Sequence, residues 1–388
     1  MIYVDYAATT PMMDEALEAM LPYLQEHFGN PSSVYAAGRE AKKGLEEARE
    51  KVAEAVGAQP AEIVFTAGGT EADNLAIKGA VAKADPKRNH IITTSVEHHA
   101  VLHAAESLES RDYRVTFLPV GADGVVDLDA LKKALSAQTC LVSVMLANNE
   151  VGVVQPLSDV VEIVKQNSRA LVHTDAVQAL GKIPVNVASL GVDLAAFSAH
   201  KLGGPKGVGA LYMRRNTPVE PIVHGGGQER GLRSGTPNVA GIVGFGVAAE
   251  IAAAEQASEA ERLASLRDRL QGGVLEAIDD VDVNAGGAER VPGTTSLCIR
   301  GVEGESVLLL LDSKGVAASS GSACASGSLD PSHVLLAMGV PPERAHGSLR
   351  FSLGRNSTEQ DVPAAVEALK QTVERLRSIA PKFAGRSA

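Results

Sequence analysis

The chain of 388 residues is long enough for two or three domains, each burying its own core, and needs no disulfide or metal to staple a fold. Its formal net charge of −11 argues against nucleic acid or an anionic membrane as a partner, because that field repels both. Cys140, Cys298 and Cys324 are an odd number of cysteines in so long a chain and fit a reducing compartment better than a disulfide framework.

The opening stretch MIYVDYAATTPMMDEALEAM lacks a basic segment followed by an apolar one, so it does not read as a signal peptide. Short apolar, β-branched runs then recur along the chain: EIVFTAG (62–68), HIITTSVEH (90–98), RVTFLPV (114–120), CLVSVMLANNE (140–150), ALVHTDAVQ (170–178), VDLAAFSAHK (192–201) and GALYMR (209–214). Continuous apolar character predicts strands buried on both faces. Helical stretches lie between them at 70–84, 99–110, 127–135 and 158–166. This alternation predicts an α/β fold, a mostly parallel sheet sandwiched by helices. One of the longest uncharged runs, 234–249, holds Pro237, Asn238 and four glycines and is too short to span a bilayer comfortably. A cytoplasmic protein is therefore expected. From about Val239 the pattern becomes a long Ala- and Glu-rich helix to about Glu276, then the strands TTSLCIRG and SLRFSLGR and a C-terminal helix. The expected division is a large domain of residues 14–250 and a smaller α+β domain of residues 1–13 with 251–388.

Polar residues gather where the strands end. Gly68-Gly69-Thr70, Glu97-His98, Asn148-Asn149-Glu150, Asp175 with Gln178, and Ser198 with His200-Lys201 each close an apolar run. Open α/β sheets bind ligands at the carboxyl ends of their strands, so these ends converge on one site. Lys201 alone could be a solvated lysine in a glycine-rich turn. Asp175 changes that reading, because a carboxylate closing an apolar strand is costly without a cation. TAGGTEADN opens a helix with two glycines and a threonine; it is either an ordinary cap or a cradle of backbone N–H groups for a phosphate. A lysine, a buried carboxylate and a phosphate cradle are together the fixtures of pyridoxal 5'-phosphate: Schiff base, partner of the pyridinium nitrogen and phosphate holder.

At this point the sequence carries a resemblance over nearly its whole length. DYAATTP (5–11), FGNPSS (28–33), FTAGGTEADN, EHHAVL, ANNEVGVVQP, HTDAVQALGKIP, FSAHKLGGPKGVGALY, HGGGQERGLRSGT, SSGSACASGSLDPSHVL and LRFSLGR occur in the order found in the cysteine desulfurases. These are pyridoxal-phosphate enzymes of fold type I in the class V aminotransferase family, and SSGSAC resembles the short-loop NifS/IscS-like group. The resemblance implies that Lys201 forms the Schiff base, Asp175 pairs with the pyridinium and Gln178 donates to the ring hydroxyl. It implies that His98 stacks on the ring and helps move protons, and that Gly69, Thr70, Ser198 and His200 hold the phosphate, with Thr236 reaching in from the other subunit of a homodimer. Asn149 and Arg350 would grip the substrate carboxylate, the latter through its guanidinium fork. Cys324 would take sulfur from L-cysteine as a persulfide, leaving L-alanine, and pass it to acceptors such as iron-sulfur scaffold proteins. The family usually has a histidine where this chain has Tyr35, so Tyr35 stays outside the catalytic set.

Cys324 sits in SSGSACASGS (319–328), small polar residues and glycines that pack poorly, so a mobile arm on the smaller domain is expected. Asp330-Pro331 reads as the cap and first turn of the helix that follows. Cys140 and Cys298 lie inside apolar strands and are expected in the core. His99 and His103 have helical spacing but lack the glutamate of a zinc-protease motif, which favours a solvated helix face and no metal site. HGGG (224–227) has no accompanying G-x-S-x-G elbow, and no P-loop pattern occurs. Within the same fold, a selenocysteine lyase or aminotransferase is the alternative activity; outside catalysis, the alternative is a docking scaffold for sulfur transfer.

Overall fold

The computed structural model describes residues 1–320 and 330–379. Cys324 and its neighbours at 321–329 lie outside the described residues, as do residues 380–388. The strands are β1 (Ile2–Tyr3), β2 (Ile63–Thr66), β3 (His90–Thr94), β4 (Arg114–Leu118), β5 (Thr139–Ser143), β6 (Leu171–Asp175), β7 (Leu194–Ser198), β8 (Gly209–Met213), β9 (Val281–Val283), β10 (Thr294–Ile299), β11 (Val316–Ala317) and β12 (Ser348–Ser352). The α-helices are α1 (Asp14–Gln25), α2 (Ala36–Val56), α3 (Gly69–Lys83), α4 (His99–Glu109), α5 (Leu128–Ala134), α6 (Leu157–Asn167), α7 (Val187–Leu190), α8 (Val239–Ala277), α9 (Gly304–Ser313), α10 (His333–Ala337), α11 (Pro342–Ala345) and α12 (Asp361–Ile379).

The main sheet runs β2-β8-β7-β6-β5-β3-β4. Strands β4, β3, β5, β6 and β7 are parallel, while β8 is antiparallel to both β7 and β2. The sheet is thus mostly parallel, as expected. Both faces are covered. Alternate side chains such as Ile63, Phe65, Val142, Val172 and Phe197 pack under α2, α5, α6 and the first part of α8. Val64, Leu141, Leu194, Ala196 and Leu211 pack under α3 and α4. Covering each face removes both apolar sets from water, at about 25 cal/mol per Å2 of buried apolar surface. Gly209 has a steric role at the end of β8: a Cβ there would lie 2.6 Å from Gly68 C and 2.6 Å from Phe197 O, so only glycine lets the β2–α3 turn sit against the sheet.

A separate core gathers Leu266, Leu270 and Val274 of α8 with Leu297, Leu349, Phe351 and Leu369 around the small sheet β12-β10-β9. Helix α8 serves both cores, because Val239 to Ala249 pack on the main sheet while its last turns pack here. It passes without interruption through residues 250 and 251, the boundary expected from sequence. Among the described residues α8 is also the one helix long and apolar enough to cross a membrane by composition. Cys140 and Cys298 are buried in β5 and β10.

One local expectation fails. Asp330-Pro331 does not open α10, the helix HVLLA; Ser332 caps it by accepting a hydrogen bond from the Leu335 N–H at 3.2 Å. The serine hydroxyl stands one residue before the first helical turn and is itself held by the Glu150 carboxylate. Asp330 is exposed and two residues too early to reach the same N–H groups.

Candidate active site

The strand ends do converge. Gly69, Thr70, His98, Asn149, Asp175, Gln178, Ser198, His200, Lys201 and Arg350 line one cavity of about 320 Å3, which Ala7, Ala8, Asp73, Met145 and Val177 complete. That volume lies at the lower end of the roughly 300–1,000 Å3 typical of small-molecule sites. A second cavity of about 300 Å3 adjoins it through Ala7 and Lys201, but only the first collects the strand-end polar groups. Thr236 is exposed and outside both cavities of its own chain. Tyr35 is also exposed, at 59 %.

At one end of the cavity α3 starts at Gly69, and Gly69 and Thr70 of its first turn line the open space. A Cβ on Gly69 would meet Val177 Cγ2 at 2.7 Å, so the glycine sets how closely helix and sheet approach. Beyond it lies an open groove that Thr70, Asn74, Ser198, His200 and Lys206 also line. His200 Nδ1 lies 3.1 Å from Thr9 Oγ1, and burial with nearby Lys201, Lys206 and Lys182 pushes the imidazole down to about 4. It is neutral at physiological pH.

Asp175 ends β6 at 5 % exposure and accepts the Val177 N–H at 2.9 Å. Burial raises its pKa, while that N–H and the Lys201 ammonium pull it down. Lys201, just past β7, donates to the carbonyls of Ala7 and Ala8, each at 2.6 Å. Gln178 Nε2 donates to Ala7 O at 2.9 Å, and its Oε1 accepts from Lys182, so one amide hydrogen remains for a ligand. Burial pushes the Lys182 ammonium down to about 7, helped by Lys201 and Arg350.

His98 caps α4, its Nδ1 accepting the Ala100 N–H at 3.1 Å. That bond leaves the ring proton on Nε2. Burial, together with Lys201, His99 and His103, pushes the ring down to about 4. Arg350, in the middle of β12, is 3 % exposed and donates to Asn149 O at 2.7 Å and Asp5 Oδ1 at 2.8 Å. Its Nε and Asn149 Oδ1 are buried without a hydrogen-bond partner among the described residues. These unmet groups in a cavity wall suit a polar ligand, and a carboxylate matches the guanidinium. His99 lies 4.9 Å from His103 and 4.8 Å from His333, ring to ring. No group of three or more His, Cys, Asp or Glu among the described residues could hold a metal.

Sequence reasoning missed Asp5, Ala7, Ala8 and Asp73. Their signal was present: DYAATTP is a polar, small-residue segment beside no strand of its own, and Asp73 stands four residues after Gly69, on the same face of α3.

The sheet, its helical cover and a strand-end cavity joining a lysine to a buried carboxylate make this a protein of pyridoxal-phosphate fold type I. A solved structure named NifS-like protein superposes with a TM-score of 0.91 at 41% identity, covering 96% of this chain and 99% of that one. The chain belongs to the aminotransferase class-V family, which it matches over residues 2–364. It is 52% identical over 380 residues to a protein of Dictyoglomus turgidum named cysteine desulfurase IscS, spanning 98% of this chain and 96% of that protein. A protein of the same name from Methanosarcina thermophila is 49% identical, spanning 98% and 94%. A further solved structure, SspA in complex with cysteine, superposes with a TM-score of 0.81 at 35% identity, covering 91% of this chain and 99% of that one.

Proposed function

We propose that this chain is a cysteine desulfurase that binds pyridoxal 5'-phosphate in the strand-end cavity and takes L-cysteine as substrate. The observation that carries this reading is the meeting of Lys201, Asp175, Gln178, His98 and Arg350 around one space. The residues fit the cofactor: a glycine-opened helix for its phosphate, a buried carboxylate for its ring nitrogen, an amide hydrogen for its hydroxyl and a lysine for covalent attachment. Bound there, the cofactor supplies an electron sink for charge developing at the substrate α-carbon.

The protein's own part is positional and electrostatic. Gly69, Thr70, Ser198 and His200 hold the phosphate end, where helix N-terminal N–H groups favour an anion. Asp175 keeps the ring nitrogen protonated, since an opposite charge in contact favours the charged form by about 1–3 pKa units. His98 would face the ring of a bound cofactor and keeps its own proton at Nε2. Asn149 and Arg350 orient the substrate carboxylate, with the guanidinium fixed in place by Asp5 and the Asn149 carbonyl. Thr236 completes the site of the partner subunit in a homodimer. Cys324 is the sulfur acceptor on sequence grounds: the carbon-sulfur bond of L-cysteine breaks as a bond from that sulfur to Cys324 Sγ forms. The products are L-alanine and a Cys324 persulfide, and hydrogen balances without an external oxidant.

In this reading residues 14–250 are the cofactor-binding domain, and residues 1–13 with 251–388 are the small domain that carries Cys324. The protein works in the cytoplasm and passes sulfur to acceptors such as iron-sulfur scaffold proteins. Two measurements test the activity. L-alanine and sulfide should form from L-cysteine with a reductant present, and borohydride should fix the cofactor to the Lys201 peptide. Label on Lys182 or Lys206, or no alanine from cofactor-loaded protein, refutes the assignment.

A further inference from the structure

Beneath the cavity lies a group of ionisable side chains that the reaction described above does not use. Asp73 stands one helical turn after Gly69 on α3 and is 1 % exposed. His173 precedes Asp175 by two residues on β6, so both point to the same face of the sheet, and it is fully buried. His173 Nε2 and Asp73 Oδ1 are 3.5 Å apart, at the outer limit of a hydrogen bond. Neither atom has a hydrogen-bond partner among the described residues, so each is left facing the other. The other ring nitrogen, Nδ1, lies 2.8 Å from Ser143 Oγ.

We infer that Asp73 and His173 share a single proton, held on Asp73, so that Asp73 is neutral and Asp175 carries the one negative charge facing the cofactor ring. This rests on the reading that the cavity holds pyridoxal 5'-phosphate. Two carboxylates compete to carry the charge. Asp73 and Asp175 line the same cavity and are both almost fully buried, where two like charges cannot both be carried without large cost. Asp175 has the Val177 N–H and the Lys201 ammonium to stabilise its ionised form. Asp73 has neither, and Asp175 and Glu97 both oppose its charge, so burial and repulsion raise its pKa well above the usual range. Burial pushes His173 down to about 3, so the imidazole accepts the Asp73 O–H at Nε2 and does not take the proton as a cation. Its own proton then sits on Nδ1 and is donated to Ser143 Oγ. Asp73 and His173 are positioning residues: they touch no substrate, and they decide which carboxylate is charged.

The test is infrared spectroscopy of the full-length, cofactor-loaded protein near neutral pH. The parent should show carbonyl stretches of protonated carboxylic acids, Glu97 among them, and Asp73→Asn should remove one component that is distinct from the one Glu97→Gln removes. Asp73→Asn should also keep the cofactor at the parent's rate of loss on dialysis, because asparagine is neutral and can still donate to His173. Histidine 15N spectra of the unmutated protein provide a second reading that does not depend on any variant folding: one buried imidazole should remain neutral, protonated at Nδ1, down to mildly acidic pH. A carbonyl region in Asp73→Asn that has lost no component, or the absence of any such imidazole, overturns the inference. Both signals report on protonation whatever the enzyme turns over, so they stand or fall separately from the alanine assay.

Discussion

Glu97→Gln should abolish a steep fall in stability between mildly acidic and mildly alkaline pH. Glu97 follows β3, is fully buried, and accepts the Met145 N–H and the Thr94 hydroxyl on Oε1, both at 2.9 Å. Its Oε2 has no partner among the described residues. Burial raises its pKa from 4.5 to about 8, with Asp175 adding to the shift and those two hydrogen bonds opposing it. Because the folded value is the higher, the folded state binds more protons than the unfolded state between these limits. Stability is therefore fully present below 4.5 and is lost as pH rises through 8. Each unit of that window is worth about 1.4 kcal/mol, which caps the effect of this one residue at about 5 kcal/mol. Glutamine keeps the acceptor for Met145 and Thr94 and cannot ionise. Urea unfolding of the two cofactor-free proteins from pH 5 to 9 measures the difference. The curves should nearly coincide at pH 5 and separate progressively, with Glu97→Gln the more stable at pH 9. Parallel curves would mean that Glu97 ionises normally inside the fold, and the burial argument would be wrong.

Two further outcomes follow from the site. Arg350→Lys leaves a point charge that cannot hold Asp5 and the Asn149 carbonyl while also meeting a carboxylate. Losing one charged hydrogen bond, worth about 1.5–3 kcal/mol, should raise KM for L-cysteine by about tenfold or more, with a smaller effect on kcat; a lower kcat at unchanged KM in steady-state assays contradicts the role in substrate binding. Cys324→Ser should stay yellow and retain the cofactor, yet form no protein persulfide by mass spectrometry and release little alanine. Alanine at the parent rate would point to direct elimination.

The parts of the structure legible in the sequence are those set by short-range pattern. Strands buried on both faces read as unbroken apolar runs, so β2 to β8 fall within the expected stretches except that β5 starts one residue early at Thr139, and the polar residues that end the runs sit at the strand ends or in the loops just beyond them. Asp175 and Lys201 stood out because a carboxylate and an ammonium beside apolar strands need a reason. What escaped depends on contacts between distant segments. Whether Ser332 or Asp330 caps α10 turns partly on Glu150, 182 residues away, which holds the Ser332 hydroxyl. Asp73 reads as one more polar residue of a helix first turn until β6 places His173 against it. The antiparallel direction of β8 leaves no mark on composition, since strands covered on both faces are apolar in either direction.

The N-terminal segment is the clearest case of a site feature invisible to local reading. Its first residues bond to the smaller sheets: Ile2 to Gly315, Val4 to Ala317, Tyr6 to Ser352. The Ala7 N–H still donates to Ser352 Oγ, but from the Ala7 carbonyl onward the partners lie at the end of β7, with the Ala7 and Ala8 carbonyls meeting Lys201 and Gln178, and Thr10 and Met13 meeting His200 and Gly203. One side chain in this segment also reaches Arg350, through Asp5. So the lysine, just past a strand of the main sheet, and the guanidinium, on a strand of the small one, are tied to carbonyls and a carboxylate three residues or fewer apart. Small residues at Ala7 and Ala8 suit this, because the backbone must come within 2.6 Å of an ammonium at two successive carbonyls. A shift of the small sheet relative to the large one would therefore be felt at the attachment lysine and at the carboxylate-binding arginine together. That coupling explains physically why a short segment with almost no strand of its own forms a wall of the cavity.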